Sequence, residues 1–234
     1  AFLDGKNLRS PPSGKDPGEI HESLYPFQRD ITKWAISRGC AAIFAGTGLG
    51  KTRMQVEWAR QSGSRVLIVA PLAVAEQTIA EAARIGVAIN RVSRPSLEEG
   101  IEITNYQKLH HFVGAPYNAI VLDESSILKS IDGATRTLLL EQFTSIPARL
   151  CCTATPAPND IAEMANHAEF LGVMRRVEML ATFFVHDEDG WRLKGHAADA
   201  FYRWMATWAC YVRRPSDLGY DDGAFILPPL TVDP

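Results

Sequence analysis

No apolar run in this chain approaches the roughly 20 residues that carry a helix across a bilayer, and no signal peptide opens it. A soluble, cytoplasmic protein is the expectation. Basic excess is lacking too. The 24 Lys and Arg stand against 27 Asp and Glu, for a formal charge of -3. No global field therefore attracts a polyanion, and a nucleic-acid partner needs a local patch. Cysteine is scarce: Cys40, Cys151, Cys152 and Cys210 fit no zinc spacing. They read as buried free thiols in a reducing compartment. There is no internal repeat. What remains is ordinary globular composition, 46% hydrophobic and 22% charged over 234 residues, enough for one large α/β domain or one and a half smaller ones.

Residues 1–22 are rich in Pro, Gly, Ser and charge ("RSPPSGKDPGEI") and predict a tail or linker. Beyond them, apolar runs of strand length alternate with helical segments. "CAAIFA" leads through a Gly-rich loop into "KTRMQVEWARQ". "RVLIVAP" leads into "AVAEQTIAEAARIG", with Gly86 as a stop. "IEIT", "NAIVLD" and "ARLCCTA" follow, each with a helical partner behind it. This alternation predicts a mostly parallel sheet with helices on both faces. Ligands in such sheets sit at the carboxyl ends of the strands, where every unusual motif of this chain falls. The aromatic-rich stretch "WRLKGHAADAFYRWMATWACYVRR" predicts one helix, with Phe201, Trp204 and Trp208 packed on the domain. Residues 213–234 read as a turn-rich connector, and the ending on "LPPLTVDP" reads as a piece of something longer.

"AGTGLGKT", Ala45 to Thr52, departs from the standard phosphate-loop pattern, because Ala45 stands where its first Gly belongs. A methyl group is tolerable there if φ stays negative. Gly46, Gly48 and Gly50 let the backbone curl so that N–H groups face phosphate oxygens, with Thr47 and Leu49 between them. Lys51 would reach the β- and γ-phosphates and the Thr52 hydroxyl would ligate Mg²⁺. "NAIVLDESS" delivers Asp123 and Glu124 to a strand end, Asp123 for the Mg²⁺ shell and Glu124 to orient and deprotonate water. Alone, that pair reads sooner as a solvated turn; paired with the upstream loop it points to hydrolysis of a nucleoside triphosphate. Thr153 and Thr155 in "CCTATPAPND" are candidates to hydrogen-bond the acids, or to be a turn capping a helix near Asn159-Asp160. His110, His111, His186 and His196 lack ligand spacing.

The order "LYPFQRDITKWA", "AGTGLGKT", "VLIVAPLAV", "ITNYQKL", "IVLDESSILKS", "RLCCTATPAPNDIAEM" and "RRPSDLG…LPPL" resembles the first RecA-like lobe of superfamily 2 helicases and translocases, and its Swi/Snf-like branch most. That superfamily begins its phosphate loop with Ala, as here. The resemblance covers roughly residues 23–230, with residues 23–212 as the lobe. It implies ATP and Mg²⁺ as cofactors, and Gln28 as the residue that recognises adenine. It implies DNA, duplex before single-stranded, as partner. Contacts are implied at Pro71, Leu72, Thr104, Asn105, Tyr106 and Lys129. "DESS" departs from the family's Asp-Glu-Ala-His or Asp-Glu-Ala-Asp, which leaves the coupling role of its His unassigned.

The resemblance further implies a second RecA-like lobe, holding an arginine finger, in the same full-length chain. Without such a finger, hydrolysis in related NTPases slows by about 10³ to 10⁵. The implied activity is an ATP-dependent DNA translocase or helicase motor of a prokaryotic or phage-infected cell, poorly active as this chain alone. Rival readings are a nucleotide-gated DNA- or protein-binding module, a motor subunit of a restriction or repair complex, and a metabolic kinase. The last would need a substrate lid. Arg213 and Arg214 are read as a brace between lobes, a DNA contact or a solvated pair.

Overall fold

The computed structural model describes residues 11–96, 98–129, 133–188 and 190–226. Pro26 opens α1 (Pro26–Arg38) with its φ already helical, and Gly39 at φ +73° ends it. There follow β1 (Cys40–Ala45), α2 (Lys51–Ser62), β2 (Arg65–Ala70), α3 (Ala75–Arg84), β3 (Ile89–Arg91) and β4 (Gly100–Asn105). Then come β5 (Ala119–Asp123), α4 (Ala134–Gln142), β6 (Ala148–Thr153), α5 (Met164–Phe170) and α6 (Arg176–Phe183). A two-stranded hairpin, β7 (Phe184–Asp187) and β8 (Gly190–Leu193), precedes α7 (Ala198–Met205) and β9 (Ala209–Val212).

Seven strands form one sheet in the order β3-β4-β2-β5-β6-β1-β9, and every pairing in it is parallel. A parallel sheet buries both faces, which is why its strands read as unbroken apolar runs. Ala41, Ile43, Val66, Ile68 and Val121 face the side covered by α1, α2 and α3. Their neighbours Ala42, Phe44, Leu67, Val69 and Leu122 face Phe170, Phe201 and Trp208 on the other. The α/β class predicted from the alternation is the class found. Among the described residues, no helix is long and apolar enough to cross a membrane.

Two stretches differ from their sequence-based expectation. The single helix expected over residues 191–214 is strand β8, helix α7 and strand β9 in turn. Gly195 interrupts the helical pattern, and "ACYV" finds β1 with one edge open, so pairing overrides the periodicity. Trp208 and Phe201 are nonetheless fully buried. The stretch 13–20, composed like a tail, is packed along α1 and α2. The N–H groups of Ser13 and Gly14 donate to the carbonyls of Arg38 and Ser37 at 3.1 and 3.2 Å. A Cβ on Gly14 would stand 1.9 Å from the Ile36 carbonyl oxygen, so only glycine permits this approach. Gly18 N–H donates to Gln61 Oε1 at 2.8 Å, and Ile20 is buried. Residues 1–10 and 227–234, including "LPPL", lie outside the described residues. Cys151 and Cys152 are buried and Cys40 and Cys210 half-buried, all as free thiols.

Candidate nucleotide site

Three neighbouring strands end together. Phe44 of β1 stands opposite Thr153 of β6, and Asp123 of β5 stands opposite Cys152 of β6. The loop after β1, the Thr-rich turn after β6 and the acids after β5 therefore share one edge of the sheet. Ala45 is the last residue of β1 and fully buried, so its methyl belongs to the core. The curl begins after it: Gly48 has φ +84° and Gly50 φ +76°. An added Cβ on Gly50 would lie 2.3 Å from Gln28 Nε2, whereas one on Gly48 would meet nothing within 4 Å. Gly50 is thus packed, and Gly48, with exposed Thr47, forms the open tip. Leu49 is buried and anchors the loop from inside. Gly46 N–H is fixed to the Val212 carbonyl of β9 at 2.9 Å.

Lys51 and Thr52 open α2, whose first N–H groups have no partner within the helix. The Lys51 ammonium donates to the carbonyls of Ala45 and Gly46 at 2.9 and 3.3 Å. Gln28 is buried under the loop: Nε2 donates to the Leu49 carbonyl and Oε1 accepts from the Tyr25 N–H, both at 2.9 Å.

Asp123 is buried, and burial raises its pKa above the ordinary carboxylate value, helped by the charge of Glu124. The Gln55 amide, the Glu124 N–H and the Lys51 charge act in the opposite direction. Gln55 lies one turn after Lys51 on the inward face of α2, fully buried. Among the described residues, Glu124 is the one non-glycine with positive φ, +56°. Such a conformation is costly and persists where neighbours enforce it. Here Thr153 Oγ1 donates to Glu124 Oε1 at 3.0 Å, and the Glu124 N–H bonds Asp123 Oδ1 at 3.1 Å. Thr153 Oγ1 in turn accepts from the Thr155 N–H at 3.1 Å. The TATP turn and Glu124 are one hydrogen-bonded unit.

Sequence reasoning missed His167. It is fully buried on α5, 3.1 Å by Nε2 from Ser125 Oγ, with its ring edge-on to Phe44. Burial holds its pKa down to about 4, so it is neutral near pH 7. The "DESS" motif, lacking His in sequence, meets one in space. Gln55 and Arg53 were also missed; helical spacing from Lys51 and Thr52 is the signal that finds Gln55.

The candidate nucleic-acid residues fall into two groups. Leu72 and Lys129 are exposed and Pro71 is half-exposed. Thr104, Asn105 and Tyr106 are buried, and their polar atoms already serve the fold. Thr104 Oγ1 donates to the Val92 carbonyl, Asn105 Oδ1 accepts from the Lys108 N–H, and Tyr106 Oη donates to the Asp123 carbonyl at 2.7 Å. These three side chains face inward, which leaves the backbone there, and Lys129, as the groups open to a phosphate contact. Arg213 and Arg214 are exposed, the former over the Tyr211 ring and the latter 3.6 Å from Asp217.

A cleft of about 410 Å³ opens beside the loop, lined by Gln28, Gly48, Gly50, Lys51 and Thr52 among others. The features just described fit a nucleotide and its metal: an open glycine tip, an ammonium resting on loop carbonyls, and a desolvated Asp123 within the field of Lys51. No cluster of three or more His, Cys, Asp or Glu suited to a metal occurs among the described residues. Thr52 and Asp123 carry the oxygen donors that would suit Mg²⁺, together with phosphate and water oxygens.

A wide parallel sheet with a Gly-Lys-Thr loop at its carboxyl edge defines a RecA-like P-loop lobe. No family model matches the chain, and no curated protein is similar to it in sequence. Solved structures share its fold. The Sulfolobus solfataricus SWI2/SNF2 ATPase core in complex with dsDNA superposes with a TM-score of 0.75 at 18% identity, over 89% of this chain and 48% of that one. The Sulfolobus solfataricus SWI2/SNF2 ATPase core domain superposes at 0.66 and 17%, over 95% and 48%. The chain thus shares its fold with part of these ATPase cores and spans about half their length.

Proposed function

We propose that this chain is the first motor lobe of an ATP-dependent translocase of the Swi/Snf-like kind, one that hydrolyses ATP to move on DNA, duplex in preference to single-stranded. The observation that carries this reading is the convergence of the loop, the acids and the TATP turn on three adjacent strand ends, with Thr153 bonded to Glu124. The similarity to an ATPase core solved with dsDNA supports the choice of partner.

The roles follow from the side chains. Lys51 leaves the carbonyls of Ala45 and Gly46 for the terminal phosphates, where its charge offsets what develops as the bond breaks. Thr52 and Asp123 would hold Mg²⁺, and the ion would supply positive charge to offset that of the phosphates. Burial makes Asp123 costly to ionise, so it gains most when a cation is beside it. Glu124 has one oxygen tied to Thr153, which leaves Oε2 to accept a proton from the attacking water. Gln28 lines the cleft and keeps a second N–H on Nε2 and a second lone pair on Oε1, beyond its bonds to Leu49 and Tyr25, with which to read the base edge; residues 213–234 lead towards a second lobe.

Duplex DNA should stimulate ATP hydrolysis by a chain extended to the length of the similar cores, and Lys51→Ala should abolish it, as judged by phosphate release. Stimulation absent from the extended chain that still binds ATP would favour a nucleotide-gated binding module instead.

A further inference from the structure

The cleft beside the loop has a wall that none of the loop residues supplies. Tyr25, just ahead of α1, meets Phe225 edge-on with ring centroids 4.9 Å apart. Phe225 meets Phe27 edge-on at 5.1 Å, and the Tyr220 ring lies 6.4 Å from that of Phe27. The Tyr220 hydroxyl bonds the carboxylate of Asp30 on α1. Further back, Asp217 accepts from the N–H groups of Arg213 and Arg214, at 2.7 and 3.2 Å, and Asp222 accepts from that of Ser216 at 2.8 Å. Built contacts therefore fold the segment after β9 back onto the first turns of α1, next to Gln28.

This aromatic wall is not sealed. Tyr25 is 44% exposed and Phe225 half-exposed, and both line the cleft that Gly48, Lys51 and Thr52 also line. Arg53 lines it too, its guanidinium held 3.0 Å from Glu81 of α3. An apolar aromatic wall, a planar cation and a buried amide at Gln28 form the chemistry that receives a flat heteroaromatic ring. The phosphate end of the cleft is at Gly48 to Thr52, which leaves this end for the base.

Resting on the ATP reading above, the geometry points to Phe225 and Tyr25 as the wall against which the nucleotide base packs. The segment after β9 is then part of the nucleotide site. Its position and base occupancy are linked, because each contact stabilises the other. The nucleotide thereby gains a handle on the stretch of chain that leads out of this lobe.

The test uses the 234-residue chain and two ligands, ATP and inorganic tripolyphosphate, each with Mg²⁺, with binding followed by calorimetry. Phe225→Ala should weaken ATP about tenfold, the size of one lost aromatic stack, and leave tripolyphosphate unchanged. Phe225→Trp should keep ATP affinity within about twofold, because the flat surface is retained. Hydrogen exchange at residues 213–226 should slow with ATP and not with tripolyphosphate. Unchanged ATP binding in Phe225→Ala, or a parallel loss of both ligands, overturns the proposal. If wild type binds neither ligand, the reading of the loop falls with it. If wild type binds both equally, the loop reading stands and the base wall alone fails.

Discussion

Two ends of the same sheet edge carry similar-looking polar residues and use them differently. At β6 and β5 the side chains of Thr153 and Glu124 meet across strand ends, and after β1 the Lys51 ammonium rests on the carbonyls of Ala45 and Gly46 beside an open cleft. At β4 the side chains of Thr104, Asn105 and Tyr106 turn inward and close hydrogen bonds that the fold needs. A polar residue at a strand's carboxyl end is thus no proof of a ligand contact. What separates the two ends is whether the backbone leaves room. Gly48 has open space around it and lines the cleft at one end, whereas at the other the chain runs straight on into the helical turn Tyr106–Phe112.

The sharpest break of this comparison is at Glu124. Glu124→Gln keeps the hydrogen bond from Thr153 but cannot take a proton. It should lower DNA-stimulated kcat in the extended chain by about 10² to 10⁴, with ATP affinity retained. Steady-state kinetics beside equilibrium binding will separate the two. A variant that loses binding as much as turnover would place Glu124 in the ground-state contacts instead.

Tyr106→Phe probes the other end. Its hydroxyl reaches past β2, which lies between β4 and β5, to the carbonyl of Asp123. Removing a buried hydrogen bond of this kind costs about 1 kcal/mol, and the carbonyl left behind adds to it. Denaturant unfolding should show that loss, while affinity for duplex DNA stays where it was. A fall in DNA affinity with unchanged stability would return Tyr106 to the binding surface.

Much of this was legible in the sequence, for reasons that differ by region. The sheet declared itself because buried parallel strands are continuous apolar runs, and the loop because glycine spacing and Lys-Thr leave few alternatives. Ala45, a departure from the general loop pattern, is simply the last core residue of β1. His167 was invisible because its partner Ser125 is 42 residues away, a distance only tertiary packing closes. Residues 13–20 form no helix or strand, as their Pro and Gly suggest, but the hydrogen bonds that tie them to α1 were not legible: Gly14 is there to let two backbones touch. The stretch 191–214 was misread because a free edge on β1 outweighed helical periodicity.

The smallest expected effect has the opposite sign to the others, and it tests the nucleotide end without any turnover. Burial raises the pKa of Asp123, so the ligand-free native state holds that proton more tightly than the unfolded chain does. The stabilising contribution is therefore present below the ordinary carboxylate pKa and is lost as pH rises through the raised one. Once ionised, the buried carboxylate is a liability that the Gln55 amide, the Glu124 N–H and Lys51 offset in part and that a bound cation would relieve further. Asp123→Asn keeps an acceptor for the Glu124 N–H and cannot ionise. It should melt slightly above wild type at pH 7 without ligand, and its melting temperature should vary less as pH rises from the carboxylate range. Adding Mg²⁺ and ATP should reverse the ranking, because wild type gains binding energy that the variant does not. Tyr106→Phe, by contrast, should lose the same stability with and without ligand. If Asp123→Asn melts lower than wild type in both conditions, its carboxylate is a structural group like those at β4, and the difference between the two ends disappears.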